Sequence, residues 1–383
     1  MSALLEPSRR FAIGGRSRPV QGAALLALSV IFIAILELAG LPAALFLGPM
    51  VAGIVIASAD GTVRVPPNLF VLSQGVIGCL MVRALPASVI GEIAKDWPIF
   101  AAGVLAVIVA ANAIGLVLTR LRVLPGTTAI WGASPGAATA MIIMAEAHGA
   151  DFRLVALMQY IRVVCVAIAA SLVARIWANG GGSGPPPPPV EWFPVIVWVP
   201  LMQTLALAFV GAILGKLLRL PAGSMLLPMI VGVVLQNTGM IQIELPQWLL
   251  AISYAIAGWS IGLRFTRDIL RHAARVFPQI LASTLLLIAI CGLFAVLLVM
   301  FAGVDPLTAY LATSPGGADS VAIIAASSKV DVPFVIAMQT ARFLVVLMTG
   351  PSLARLIVRL AGVSDAPPPK VMDMTPARDP LDT

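Results

Sequence analysis

Apolar residues along the chain gather into twelve runs: 22–39, 41–57, 68–82, 98–119, 126–147, 154–178, 195–215, 221–236, 247–263, 278–301, 306–328 and 333–360. Polar, Gly-rich or Pro-rich joints separate them. Several runs reach the roughly 20 residues that a helix needs to cross hydrocarbon, and several are short for an untilted span. The pattern predicts an all-α polytopic membrane protein.

Composition agrees with the pattern. Of 383 residues, 60% are hydrophobic and 11% charged, whereas a soluble domain is about 45–50% apolar and about 25% charged. The mean hydropathy is +1.02. An ordinary cytosolic enzyme, a secreted disulfide scaffold and a disordered chain are all excluded. The net charge of +7 does not point to nucleic acid, because most Lys and Arg lie in short loops where membrane anchoring explains them. Cys79, Cys165 and Cys291 sit inside apolar runs, in no metal-binding spacing, and read as small buried hydrophobes.

The joints divide the chain into a short N-terminal segment (1–21), a first membrane unit (22–178), a Gly/Pro linker (179–194), a second membrane unit (195–362) and a polar tail (363–383) expected to be disordered. The two units repeat each other. Leu41-Pro42-Ala43, Pro49-Met50 and Gly53 recur 179 residues later as Leu220-Pro221-Ala222, Pro228-Met229 and Gly232. Ser134-Pro135-Gly136, Asp151, Met158-Gln159 and Arg162 recur 180 residues later as Ser314-Pro315-Gly316, Asp331, Met338-Gln339 and Arg342. Between Thr128 and Val166, 14 of 39 positions are identical to their counterparts. Duplication around a central linker is a transporter signature.

Charge arbitrates the topology. If 126–147 and 306–328 are re-entrant or broken rather than full spans, each half has five spans and the halves are inverted. The loops holding Arg120 and Arg122, Lys216, and Arg264 to Arg275 then share one side with both termini. Twelve full spans would put the Arg264–Arg275 cluster on the other side. The positive-inside rule favours inverted repeats of five helices plus one re-entrant segment each, with cytoplasmic termini.

Few polar residues remain inside the runs, and these are the candidate site. Ser134-Pro135-Gly136 and Ser314-Pro315-Gly316-Gly317 break their helices. Broken helices in a membrane line cavities and expose helix ends that bind ions and anions. Asp319 follows the second break, with Ser320 beside it, and Thr139 is the counterpart of Asp319. A carboxylate there could bind Na⁺, carry a proton, or partner Arg162 or Arg342. Gln159 with Arg162, and Gln339 with Arg342, stand at i and i+3, so each pair shares a helix face. Each Arg either holds a carboxylate substrate or clamps its helix to the broken segment. Asn112 and Gln203 are expected to bond between helices. Glu146 and His148 are expected at a solvated segment end, and Gln74 in packing.

These paired motifs resemble the bacterial AbrB-duplication membrane family, whose members are often labelled ammonia monooxygenase or AbrB family transcriptional regulator. The resemblance covers roughly residues 22–362. It implies the inner membrane of a bacterium. Ile261-Gly262-Leu263, the basic loop before Pro278, and Ser314-Pro315-Gly316-Gly317 with Val330-Asp331 and Met338 are distantly similar to bile-acid/sodium symporters, which implies a transporter-type fold. Only two histidines occur, His148 and His272, and they do not supply a monooxygenase's metal ligands. The expected function is secondary transport of a small solute, with an anion as one option. A membrane-embedded sensor or regulator is the alternative. No cofactor, metal, catalytic residue or nucleic-acid partner is expected. Coupling to Na⁺ or H⁺, and a homo-oligomer in the bilayer, fit the reading.

Overall fold

The computed structural model describes residues 15–41, 43–83, 85, 97–125, 127–135, 141–142, 145, 149–180, 192, 195–218, 220 and 222–361. No strand occurs among them. The first half contains α1 (Arg18–Leu38), α2 (Ala44–Ser58), α3 (Pro67–Arg83), α4 (Trp97–Arg120), α5 (Thr128–Ala133) and α6 (Phe152–Gly180). The second contains α7 (Trp198–Leu217), α8 (Gly223–Asn237), α9 (Gln247–Gly262), α10 (Arg267–Ala273), α11 (Phe277–Ala302), α12 (Pro306–Thr313), α13 (Ala318–Ala326) and α14 (Val332–Ala361). The expected polar tail and most of the expected linker lie outside the described residues. Helix α6 runs to Gly180 and so enters the start of that linker.

Among the described residues, six helices are long and apolar enough to cross a membrane: α1, α4, α6, α7, α11 and the Val332–Gly350 part of α14. Helices α2, α3 and α8 are shorter and apolar. The protein is therefore a helical membrane protein. The outer face of α1 exposes Leu26, Val30, Ile31 and Ile35, side chains that suit lipid and not water.

The helices form two bundles. In the first, α2 lies against α1 and α9, α8 lies against α7 and α3, and α3 also touches α7 and α9. In the second, α4 packs on α5, α11 and α14, α6 packs on α5 and α11, and α14 packs on α12 and α13. Each half contributes three helices to the first bundle, and pairing crosses between halves. A β-carbon at Gly78 of α3 would lie 2.5 Å from the Met225 carbonyl oxygen of α8. At the equivalent Gly258 of α9, it would lie 2.5 Å from the Phe46 carbonyl oxygen of α2. Only glycine permits such a backbone approach. The repeated Leu-Pro-Ala also has a matched backbone: Ala43 (φ 60°) and Ala222 (φ 51°) are left-handed N-caps of α2 and α8.

Polar contacts, with the short loops that join α2 to α3 and α8 to α9, sort the helix ends of the first bundle into two groups. Gln21, at the start of α1, accepts from the Thr62 amide (2.8 Å) beyond the end of α2. Lys216, at the end of α7, donates to Asn68 (2.9 Å) at the start of α3. Arg267, just past α9, pairs with Asp60 (2.8 Å) at the end of α2. In the other group, Gln236 and Asn237 at the end of α8 donate to carbonyls of Val82 (3.4 Å) and Leu85 (3.5 Å) at the end of α3. Thr204, early in α7, accepts from the Glu244 amide (2.9 Å) before α9.

Candidate functional site

Each half of the second bundle holds a short helix that stops at Ser-Pro. Proline disfavours the α region for the residue before it. Ser134 ends α5 at φ −58°, ψ 127°, and Ser314 ends α12 at φ −58°, ψ 135°. The two ends of each broken segment meet. The Thr128 hydroxyl, at the start of α5, accepts from the Asp151 amide (3.1 Å) just before α6. The Thr308 hydroxyl, at the start of α12, accepts from the Asp331 amide (3.0 Å) just before α14. Each broken segment is thus closed at its mouth by the same Thr–Asp bond. Asp151 and Asp331 also cap α6 and α14 through the amides of Leu154 (3.2 Å) and Phe334 (3.0 Å).

A helix that ends inside a membrane leaves carbonyl oxygens that must find donors. The Gln-x-x-Arg pairs supply them. Gln159 Nε2 donates to the carbonyls of Trp131 (3.1 Å), Gly132 (3.3 Å) and Ser134 (3.1 Å). Arg162 Nη1 donates to those of Ala133 and Ser134 (3.1 Å each), and its Nη2 donates to Gln159 Oε1. In the second half, Gln339 Nε2 donates to Leu311 (2.8 Å), Ala312 (3.3 Å) and Ser314 (3.2 Å). Arg342 donates to the carbonyls of Ser314 and Gly316 (2.6 Å) and to Gln339 Oε1 (2.6 Å). The positive guanidinium also meets the negative end of the half-helix dipole. Both arginines are 4% exposed.

Of the two roles the sequence left open for these arginines, the clamp is present. It uses the Nη atoms. The Nε–H groups of Arg162 and Arg342 are buried and have no hydrogen-bond partner among the described residues. Arg267 pairs with Asp60, and His272 meets Asp151, an ion pair when the imidazole is protonated and a hydrogen bond otherwise; neither contact involves these arginines.

The structure brings Ser134, Pro135, Gln159 and Arg162 together, and likewise Ser314, Gly316, Gln339 and Arg342. The two sets adjoin: a β-carbon at Gly316 would meet Val166 of α6 at 2.9 Å. Pro315 and Gly317 complete the second break, Gly317 being the N-cap of α13. Asp319 is the second residue of α13, and Ser320 beside it is buried. Gly136, Thr139, Glu146 and His148 lie outside the described residues, as does the side chain of Asp319. Asn112 bonds the Ile108 carbonyl of its own helix (2.7 Å), whereas a bond between helices was expected: one turn back, an amide finds an acceptor without a neighbour. The sequence reading missed the roles of Thr128 and Thr308. Their identity at the 180-residue spacing was the available signal.

The family model for "Transition state regulatory protein AbrB" matches residues 45–358. The chain belongs to the AbrB family. A relative from Escherichia coli (strain K12) named "Putative regulator AbrB" is 46% identical over 87% of this chain and 94% of its own length. A second, "Uncharacterized protein YhjN" from Bacillus subtilis (strain 168), is 26% identical over 76% of this chain and 79% of its own. No solved structure matches the chain. The match to the family model runs from α2 into α14, so it takes in both breaks and both Gln-x-x-Arg pairs. A likeness to bile-acid/sodium symporters is not among the matches found, and it remains a reading of the sequence.

Proposed function

We propose that this AbrB-family protein is a secondary transporter of a small anionic solute, with its site where the two Ser-Pro-Gly breaks adjoin. One observation carries the reading: two buried arginines, one from each half, keep an Nε–H without a partner, and no described carboxylate pairs with either. Buried charge is costly in a membrane and marks substrate or ion pathways. A carboxylate or similar anion would supply the missing acceptor and balance the charge.

The helix-end contacts support inverted halves. The start of α1 groups with the end of α7, the end of α2 with the start of α8, and the start of α3 with the end of α9. The Thr–Asp mouths support re-entrant segments, which gives five spans per half. The positive-inside rule then puts both termini in the cytoplasm of a bacterial cell. In this reading one bundle rocks against the other around the central site. Asp319, in the first turn of α13, is the residue for coupling to Na⁺ or H⁺, and no catalysis or resident cofactor is involved.

The test is reconstitution. A thermal-shift screen of small carboxylates and inorganic anions on purified protein identifies the ligand, and liposome flux then shows whether it moves. Flux that Asp319→Asn abolishes, with protein level unchanged, supports coupled transport. The names carried by the family model and the E. coli relative favour a second reading, a membrane-embedded regulator. A stabilising anion with no flux in liposomes would select it.

A further inference from the structure

Helix α10 is the one element on the chain path between α9 of the first bundle and α11 of the second, and it touches α2 and α6. It was not foreseen, because its seven residues sit in a basic loop. Ile269 and Leu270 anchor it on the cluster of Leu154, Tyr160 and Phe265. Polar contacts then run outward to both bundles. Arg267 pairs with Asp60 at the end of α2 (2.8 Å). His272 Nε2 meets Asp151 Oδ2 at the start of α6 (2.9 Å), while Oδ1 of the same carboxylate caps α6. Just before α10, Arg264 donates to the Tyr160 hydroxyl of α6 (2.6 Å) and lies 5.0 Å from its ring centroid.

The side chains of the two pairs are 26–44% exposed. Exposed pairs are individually weak and break readily, which suits a catch better than a permanent tie. The same stretches also carry Asp268 and Arg271 on α10, Arg275 after it and Arg153 on α6. Glu146 and His148 lie outside the described residues. We propose that α10 is an electrostatic strap: its pairs hold the two bundles together at this face, and breaking them lets the bundles part. The inference concerns bundle motion and does not require a transported solute.

The test uses the full chain in nanodiscs with spin labels at Arg64→Cys, after α2, and Leu121→Cys, after α4. Cys165 is replaced by Ala, and Cys79 and Cys291 are buried. The strap variant is Asp60→Asn with Asp151→Asn. Asparagine keeps the left-handed backbone of residue 60 (φ 63°) and the cap of α6. The wild type should give a dominant short distance with a minor longer one. The double variant should enlarge a longer-distance population about threefold, the scale of two exposed pairs. Lys216→Ala, which removes an exposed contact inside the first bundle, should change nothing. A double variant with the wild-type distribution, or a Lys216→Ala distribution equally broadened, overturns the strap. Should the double variant not fold, salt decides on the wild type. Raising it from about 50 to about 500 mM screens exposed pairs and should lengthen the distance, and an unchanged distance overturns the proposal.

Discussion

The two bundles are held together by different physics. In the first, backbones touch. Besides the Gly78 and Gly258 contacts, β-carbons at Gly75 and Gly262 would lie 2.2 Å from the carbonyl oxygens of Ala208 and Met50. Small residues let helices approach closely where lipid gives no hydrophobic drive between them. In the second bundle, helices are broken and carbonyls are left without helical partners. There Gln159, Arg162, Gln339 and Arg342 do the joining through hydrogen bonds. Close backbone packing makes a frame with little freedom to deform. A polar clamp holds an irregular backbone in one arrangement while keeping charge in the interior.

This contrast can be broken from either side. The largest effect is expected from Arg342→Met, which strips donors from Ser314, Gly316 and Gln339. Denaturant titration in mixed micelles should show a loss on the order of 3 kcal/mol or more. Arg342→Lys should recover only part of it, because an ammonium lacks the planar fork. A loss below about 1 kcal/mol for Arg342→Met would refute the clamp.

Next comes Gly75→Ala in the frame. Overpacking against a backbone carbonyl should cost about 1–3 kcal/mol, and no polar rescue should exist for it. An unchanged melting temperature would show that α3 and α7 slide freely. Thr308→Val tests the mouth of the second broken segment. It leaves the Asp331 amide without its acceptor and should cost about 1 kcal/mol. Thr128→Val should cost the same, and the two losses should add if the mouths are independent. The smallest effect belongs to Lys216→Ala, whose partner Asn68 is exposed. A change within about 0.5 kcal/mol is expected from calorimetry.

The apolar runs foretold the helices closely. The expected 98–119 became Trp97–Arg120, and 278–301 became Phe277–Ala302. Both breaks were legible as Ser-Pro-Gly, since proline acts on its immediate neighbour through local sterics. The Gln-x-x-Arg pairs were legible because i and i+3 share a helix face whatever surrounds them. Their partners were not. Whether Arg162 meets a carboxylate or a carbonyl depends on what folds against it from nearly thirty residues away. Helix α10 escaped notice because its two apolar residues, Ile269 and Leu270, are too few to stand out in a basic loop.

The sequence by itself determined a membrane protein, a duplication, the places where helices break and the few charges left inside. These follow from hydropathy, from identity at fixed spacing and from the local geometry of proline. Only the tertiary structure decided how the halves interlock, that Thr128 and Thr308 close the two mouths, and that the buried arginines spend their Nη atoms on carbonyls while Nε finds no partner among the described residues. Those are matters of long-range packing. In a membrane each unsatisfied polar group is costly, so the fold settles which donor serves which acceptor, and the chain order alone does not.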